Sequence, residues 1–184
     1  MSVHITDDSD AVLVLQCKSG NRHAFEALLA RYERQVFGAV FRILHHREDA
    51  TDVTQTAFLR AYEHLDRYDP GQRFSSWLYR IAVNEALDLV RSRRPSEPLL
   101  DDTLTDSAGP VEMAVQDENE STMRSALMDL KIDYRTVIVL KHLQDCTYEE
   151  MAQILECPVK TVKSRLFTAR QALRDVLVAR GHLK

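Results

Sequence analysis

The chain has 184 residues, enough for one ordinary domain or two small ones, and 45 % of them are hydrophobic, enough to fill real cores. Five glycines and few runs of β-branched residues argue against a sheet-rich fold, and no apolar run approaches the ~20 residues that a membrane span needs. The net charge of −4 excludes a uniformly basic nucleic-acid binder, but the average hides three regions: residues 1–95 balance to zero, 96–120 carry eight acids and no Lys or Arg, and 121–184 carry 11 basic against seven acidic side chains.

The N-terminus, MSVHITDDSDAV, is acidic and lacks the basic-then-apolar order of a signal peptide. Cys17, Cys146 and Cys157 form no CxxC motif, so a reducing, cytoplasmic setting is expected. Spacing of apolar residues at 3.6 predicts helices near 9–18, 22–45, 48–66 and 75–94, then 119–130, 133–144, 148–155 and 159–180. No segment alternates at period two, so the expected fold class is all-α. It comprises two small helical domains, residues 1–94 and 121–184, joined by a flexible acidic linker over 95–120, PSEPLLDDTLTDSAGPVEMAVQDENE, which holds three of the five prolines.

In the helix around EDATDVTQTAFLRAYEHLD, Val53, Ala57, Ala61 and Leu65 take the core face. Asp49, Asp52, Gln55 and Leu59 are expected outside, a polar stripe with one exposed leucine that suits docking onto another protein's helix or is simply a solvated face. YDPGQRF (68–74) reads as a turn around Pro70-Gly71. In FSSWLYRIAVNEALDLVRSRR, Arg80, Asn84 and Asp88 fall at i, i+4 and i+8 and form one polar ridge. With Tyr68 and Phe74 expected in the preceding loop, the segment combines stacking rings, hydrogen-bonding groups and cations, the parts that hold unpaired bases. Trp77 and Tyr79 read as core.

In the second unit Thr147 and Glu150 form a capping box, and Glu156-Cys157 turns the chain into a helix starting at Pro158, a helix-turn-helix arrangement. Along PVKTVKSRLFTAR and on to residue 176, Val162, Leu166, Ala169, Leu173 and Val176 form the core stripe. Lys160, Lys163, Ser164, Phe167, Thr168 and Gln171 fall on the other side. Phe167 is thus off the core stripe, where an aromatic packs against a thymine methyl or sugar edge in a major groove, or against a neighbouring helix. Lys163 and Ser164 carry donors for base edges, while Arg165 and Arg170 suit phosphates.

Three segments, EDATDVTQTAFLRAY, FSSWLYRIAVNEALDLVRSRR and TYEEMAQILECPVKTVKSRLFTARQAL, in this order and around an acidic linker, closely resemble extracytoplasmic-function sigma factors, nearest to the envelope-stress subgroup. The resemblance implies a non-enzymatic transcription initiation factor that binds core RNA polymerase and promoter DNA and helps open the duplex, without cofactor, metal or small-molecule substrate. It implies that Asp49, Asp52, Gln55 and Phe58, with Leu59 beside them, dock on the β′ clamp helices. The β subunit is a further contact of core polymerase. Tyr68, Arg80, Asn84 and Asp88 fall where the family captures the minus-ten element. Lys163, Ser164, Phe167 and Thr168 fall where it reads the minus-thirty-five element, with Lys163 standing where many members carry Arg. Control by an anti-sigma factor, often membrane-bound, is implied as well. Two competing readings are a stand-alone helix-turn-helix regulator that binds operator DNA as a dimer, and a metal or redox sensor built on His142, Cys146 and Cys157.

Overall fold

A computed structural model describes residues 7–93 and 118–182. Among them are eight α-helices and one 3-10 turn and no strand: α1 (Asp7–Lys18), α2 (Arg22–Leu44), α3 (Arg47–Glu63), the turn Leu65–Arg67, α4 (Phe74–Arg93), α5 (Glu118–Met128), α6 (Ile132–His142), α7 (Tyr148–Ile154) and α8 (Val159–Ala179). All eight expected helices are present, and no boundary moves by more than three residues. The largest change is at α3, which stops at Glu63 before the separate 3-10 turn. The expected linker lies outside the described residues except for 118–120, which already belong to α5.

The helix ends follow their sequence. Asn21 caps α2 by accepting from the His23 amide at 3.1 Å, and α2 ends on His45 in the left-handed conformation, φ 54°, with its amide donating to the Phe41 carbonyl at 2.7 Å. Within YDPGQRF, the Asp69 carboxylate accepts from the Gly71 amide at 2.8 Å, an Asx turn that brings the chain from the 3-10 turn into α4. Thr147 and Glu150 close the capping box at α7 in both directions, at 3.1 and 2.7 Å.

Helices α2, α3 and α4 pack around Leu28, Val36, Val40, Ile43, Ala57, Leu78 and Val83, all fully buried, with α1 laid across them. Helices α6, α7 and α8 form the second core around Val137, Leu140, Met151, Ile154, Val162 and Leu166. Sequence periodicity gives no hint that these two cores fuse, yet α4 packs on α7 and α2 on α6. The seam is polar at its edges and apolar inside. Arg135, 8 % exposed, donates to the carbonyls of Leu127 and Met128 at 2.9 Å, of Leu130 at 3.1 Å and, across the seam, of Ile43 at 2.6 Å. Burial pulls its pKa down to about 10, with Asp129 acting in the opposite direction. The guanidinium remains charged near neutrality and makes four hydrogen bonds, the satisfaction that a buried charge requires.

Candidate nucleic-acid and protein interfaces

The outer face of α8 is built as its spacing dictates. Val162, Leu166 and Ala169 are buried, Leu173 and Val176 are half-buried, and the stripe ends on buried Leu177. On the opposite side Lys160, Lys163, Ser164, Phe167, Thr168, Arg170 and Gln171 are exposed, with Phe167 at 66 % among the most exposed large apolar side chains described. Arg165 is half-buried. The Lys163 ammonium lies 5.3 Å from the centre of the Tyr148 ring, and Lys141 lies 5.0 Å from it, so one aromatic steadies two cations. Arg170 reaches Nε2 of His142 at 3.2 Å. Burial, then the charges of Arg170 and Lys141, push the His142 pKa below its ordinary value, which leaves the ring neutral and able to accept.

The α4 ridge divides into exposed Arg80 and Asp88 with half-buried Asn84 between them. Asp88 pairs with Arg91 at 2.9 Å. Two sequence expectations are corrected here. Phe74 is not a loop residue but the first residue of α4, 1 % exposed, with Tyr32 and Tyr68 each 5.6 Å from its ring. Tyr68 is 4 % exposed, packs on Trp77 and donates its hydroxyl to the Gln72 carbonyl at 2.6 Å. Neither ring stands free to stack on a base. The i, i+3, i+4 spacing of Phe74, Trp77 and Leu78 already marks this as the core face of α4.

On α3, Asp52, Gln55 and Leu59 are exposed, Leu59 at 65 %. Asp49 is not outside as expected. It is 8 % exposed and chelated by Arg93 from the end of α4, 2.7 Å at Nη2. That hydrogen bond, against the opposing effect of burial and with help from His46, holds its carboxyl below the ordinary value. Phe58 is buried too, at 4 %, and forms the floor of a groove of about 310 Å³ between α2 and α3. Sequence reasoning missed the α2 wall of this groove, Phe25 and Leu29, and Tyr62 on α3. Phe25 stacks edge-on against Tyr62 at 4.9 Å and Phe58 at 6.5 Å. The signal available was the apolar pair Phe25–Leu29 at i, i+4.

The seam brings the start of the α4 ridge against the helix-turn-helix. Glu150 accepts from the Ser76 hydroxyl at 2.6 Å and lies 3.5 Å from Arg73. Arg80 pairs with Glu156 at 2.9 Å, and Tyr79 donates to Gln144. Burial raises the Glu150 pKa, but the hydrogen bonds from Ser76 and Thr147 and the charge of Arg73 outweigh it, so the carboxyl titrates below its ordinary value. The start of the α4 ridge therefore faces carboxylates supplied by the helix-turn-helix. Among the described residues no group of three or more His, Cys, Asp or Glu is arranged to hold a metal ion, and no helix is long and apolar enough to cross a membrane.

Comparison with known proteins accounts for both units. The family model for sigma-70 region 2 matches residues 28–95, and that for sigma-70 region 4 matches residues 121–173. The chain is 35 % identical to the ECF RNA polymerase sigma-E factor of Escherichia coli K12 over 94 % of its length and 95 % of the relative's. It is 34 % identical to the RNA polymerase sigma-H factor of Pseudomonas aeruginosa, over 94 % of its length and 96 % of the relative's. Among solved structures, CnrH in complex with the cytosolic domain of CnrY matches with a TM-score of 0.70 and 31 % identity, covering 93 % of this chain and 98 % of that one. With its α4 ridge in the region 2 match and its helix-turn-helix in the region 4 match, the chain belongs to the extracytoplasmic-function branch of the sigma-70 family of transcription initiation factors.

Proposed function

We propose that the chain confers promoter specificity on core RNA polymerase through three of the surfaces described above. The groove between α2 and α3, edged by Gln55 and Leu59 with Asp52 on the same helix, docks on the polymerase. The Arg80–Asn84–Asp88 ridge captures unpaired bases of the minus-ten element. Lys163, Ser164, Phe167 and Thr168 read the minus-thirty-five element, with Lys160, Arg165 and Arg170 toward the phosphates. The observation that carries the reading is exposed Phe167 amid donors on the second helix of a helix-turn-helix, in one chain with the α4 ridge. Domain limits of 1–94 and 121–184 suit this division of labour.

The packed arrangement is then a resting form. Two elements about 25 base pairs apart are separated by about 85 Å of duplex at 3.4 Å per base pair. A chain in which Arg80 touches Glu156 does not bridge them. The 24 residues between α4 and α5 reach at most ~86 Å when fully extended, enough to let the units part. Core polymerase supplies the geometry that makes two weak DNA contacts act as one. A cytoplasmic site of action, and an anti-sigma partner that holds the chain inactive at the inner face of the membrane, fit the same picture. CnrH was solved with the cytosolic domain of its partner.

Run-off transcription by core polymerase with and without the chain tests the reading. Promoter-dependent initiation that appears only with the chain is expected. Tight duplex binding by the chain alone, with no initiation, sinks it in favour of a stand-alone regulator.

A further inference from the structure

Opposite the apolar groove, α2 carries a second surface. In RYERQVFGAVFR (31–42), Arg31, Gln35, Gly38 and Arg42 recur at i, i+4, i+7 and i+11 and share one narrow face, with Arg34 at its edge. Glu33 points the other way, into the groove with Leu59. This face is the floor of a cleft of about 490 Å³ whose second wall is Arg73 and Tyr79 from the start of α4. Four arginines thus line one cleft in a chain of net charge −4, and the carboxylate lining it with them is that of Asp145, from the helix-turn-helix side of the seam.

Gly38 leaves room on this face for the Arg42 side chain. A glycine inside a 23-residue helix costs about 1 kcal/mol relative to alanine. Arg42 lies back along the helix, its Nη1 donating to the Gly38 carbonyl at 3.1 Å, and a Cβ on Gly38 would crowd that same nitrogen at 3.0 Å. Arg31 is anchored on Asp10, and Arg73 leans on Glu150, while Arg34 is exposed and makes no ion pair among the described residues. Arg31, Arg34 and Arg42 are spread along about 16 Å of one helix. A linear row of guanidiniums suits an extended chain of phosphates better than one compact anion.

We propose that Arg31, Arg34, Arg42 and Arg73 form a track for the phosphates of single-stranded DNA flanking the segment held by the α4 ridge. The track rests on the sigma-factor reading above and extends its DNA surface onto α2. In the packed form Leu143, Gln144 and Asp145 roof it. Separation of the two units clears it at the same moment as it frees Arg80.

The test uses reconstituted holoenzyme and a promoter fragment whose non-template strand is unpaired around the minus-ten element, titrated over a potassium chloride series. Arg34→Ala and Arg42→Ala are each expected to weaken binding and to lower the steepness of the log–log salt dependence by about 0.7 for each phosphate left unneutralised. Assembly with core polymerase and binding of a duplex minus-thirty-five fragment should not change. Arg22→Ala, a basic-to-neutral change at the far end of α2, serves as control. Unchanged salt dependence in both cleft variants, or an equal change in the control, overturns the track. Because Arg34 is exposed, Arg34→Glu decides the matter even if Arg42→Ala unfolds. Inorganic tripolyphosphate provides the second arm: if the wild-type chain binds it and Arg34→Ala does not, while DNA binding is unaltered, the cleft takes small anions and the strand assignment falls. Failure of wild-type holoenzyme to initiate at all would instead count against the sigma-factor reading itself.

Discussion

Nη2 of Arg80 lies 2.9 Å from Oε1 of Glu156, 76 residues further along the chain, so the first member of the α4 ridge is paired with the turn of the helix-turn-helix. Both side chains are about half exposed, and such pairs contribute only about 0.2–1 kcal/mol. Glu156→Ala should therefore shift the balance between packed and separated units by no more than about five-fold. Energy transfer between dyes on α1 and α8 measures it. Arg80→Ala should have the same small effect on packing but should abolish promoter opening by the holoenzyme. An Arg80→Ala holoenzyme that opens promoters normally removes Arg80 from the DNA surface.

The buried clamp matters more. Arg135→Leu removes the side-chain donor from the carbonyls of Met128, Leu130 and Ile43, while that of Leu127 keeps the Leu130 amide at 3.2 Å, and each unsatisfied buried group costs about 1–3 kcal/mol, less where water enters. A loss of about 2–4 kcal/mol in urea unfolding is expected, with the units separating more readily. Arg135→Lys should recover little, because an ammonium has three donors and lacks the planar fork. A change below about 1 kcal/mol would show that these carbonyls find water.

Phe167 offers the opposite case. At 66 % exposure its removal should alter stability by no more than about 0.5 kcal/mol, whereas binding of a minus-thirty-five duplex by the holoenzyme should fall. Thermal melting and fluorescence anisotropy separate the two effects. Loss of the fold on Phe167→Ala would return this ring to the core.

Acid should act through Glu150. Its carboxyl titrates below the ordinary glutamate value of 4.5, so it contributes stability that is complete above that value and is lost as pH falls through the lower, folded-state value. Wild type should lose packing between the units below about pH 4.5 more steeply than Glu150→Gln, which has no carboxyl there to titrate. Both should be flat around neutrality. Parallel acid curves for the two proteins would show that Glu150 is not the titrating group.

Burial, chiefly, pushes the Cys146 thiol up to about 12, and its neighbour across the seam is Tyr79. Alkylation at about pH 8 should be more than roughly a hundred-fold slower in the native chain than in urea, since the thiolate is the reactive form. Glu150→Ala should speed it by loosening the seam. Rapid native labelling would favour the redox-sensor reading of this cysteine.

How much of this is legible in the sequence depends on which force sets each feature. Helix positions and the face of Phe167 follow from local periodicity and caps, and both appear as the spacing predicts. Asp49 is misplaced by sequence reasoning because periodicity along one helix puts a polar residue outside. The partner that buries Asp49, Arg93, comes from another helix, a pairing that spacing along α3 does not encode. Phe74 and Tyr68 are misread for a different reason: a Pro-Gly turn suggests that its neighbours are free, whereas its Asx turn tucks them under Trp77. The seam is invisible for a plainer reason. Its contacts join residues 65 to 92 positions apart, such as Tyr79 with Gln144 and Arg135 with Ile43, and single side chains carry them.

Glu150 uses one oxygen for the Thr147 amide and the other for the Ser76 hydroxyl. Breaking the second bond leaves the first untouched, so α7 keeps its N-terminal cap when the units part. The helix-turn-helix then travels as a preformed body and meets DNA with its recognition helix already ordered. No folding entropy opposes the encounter, and the binding energy goes into discrimination between sequences.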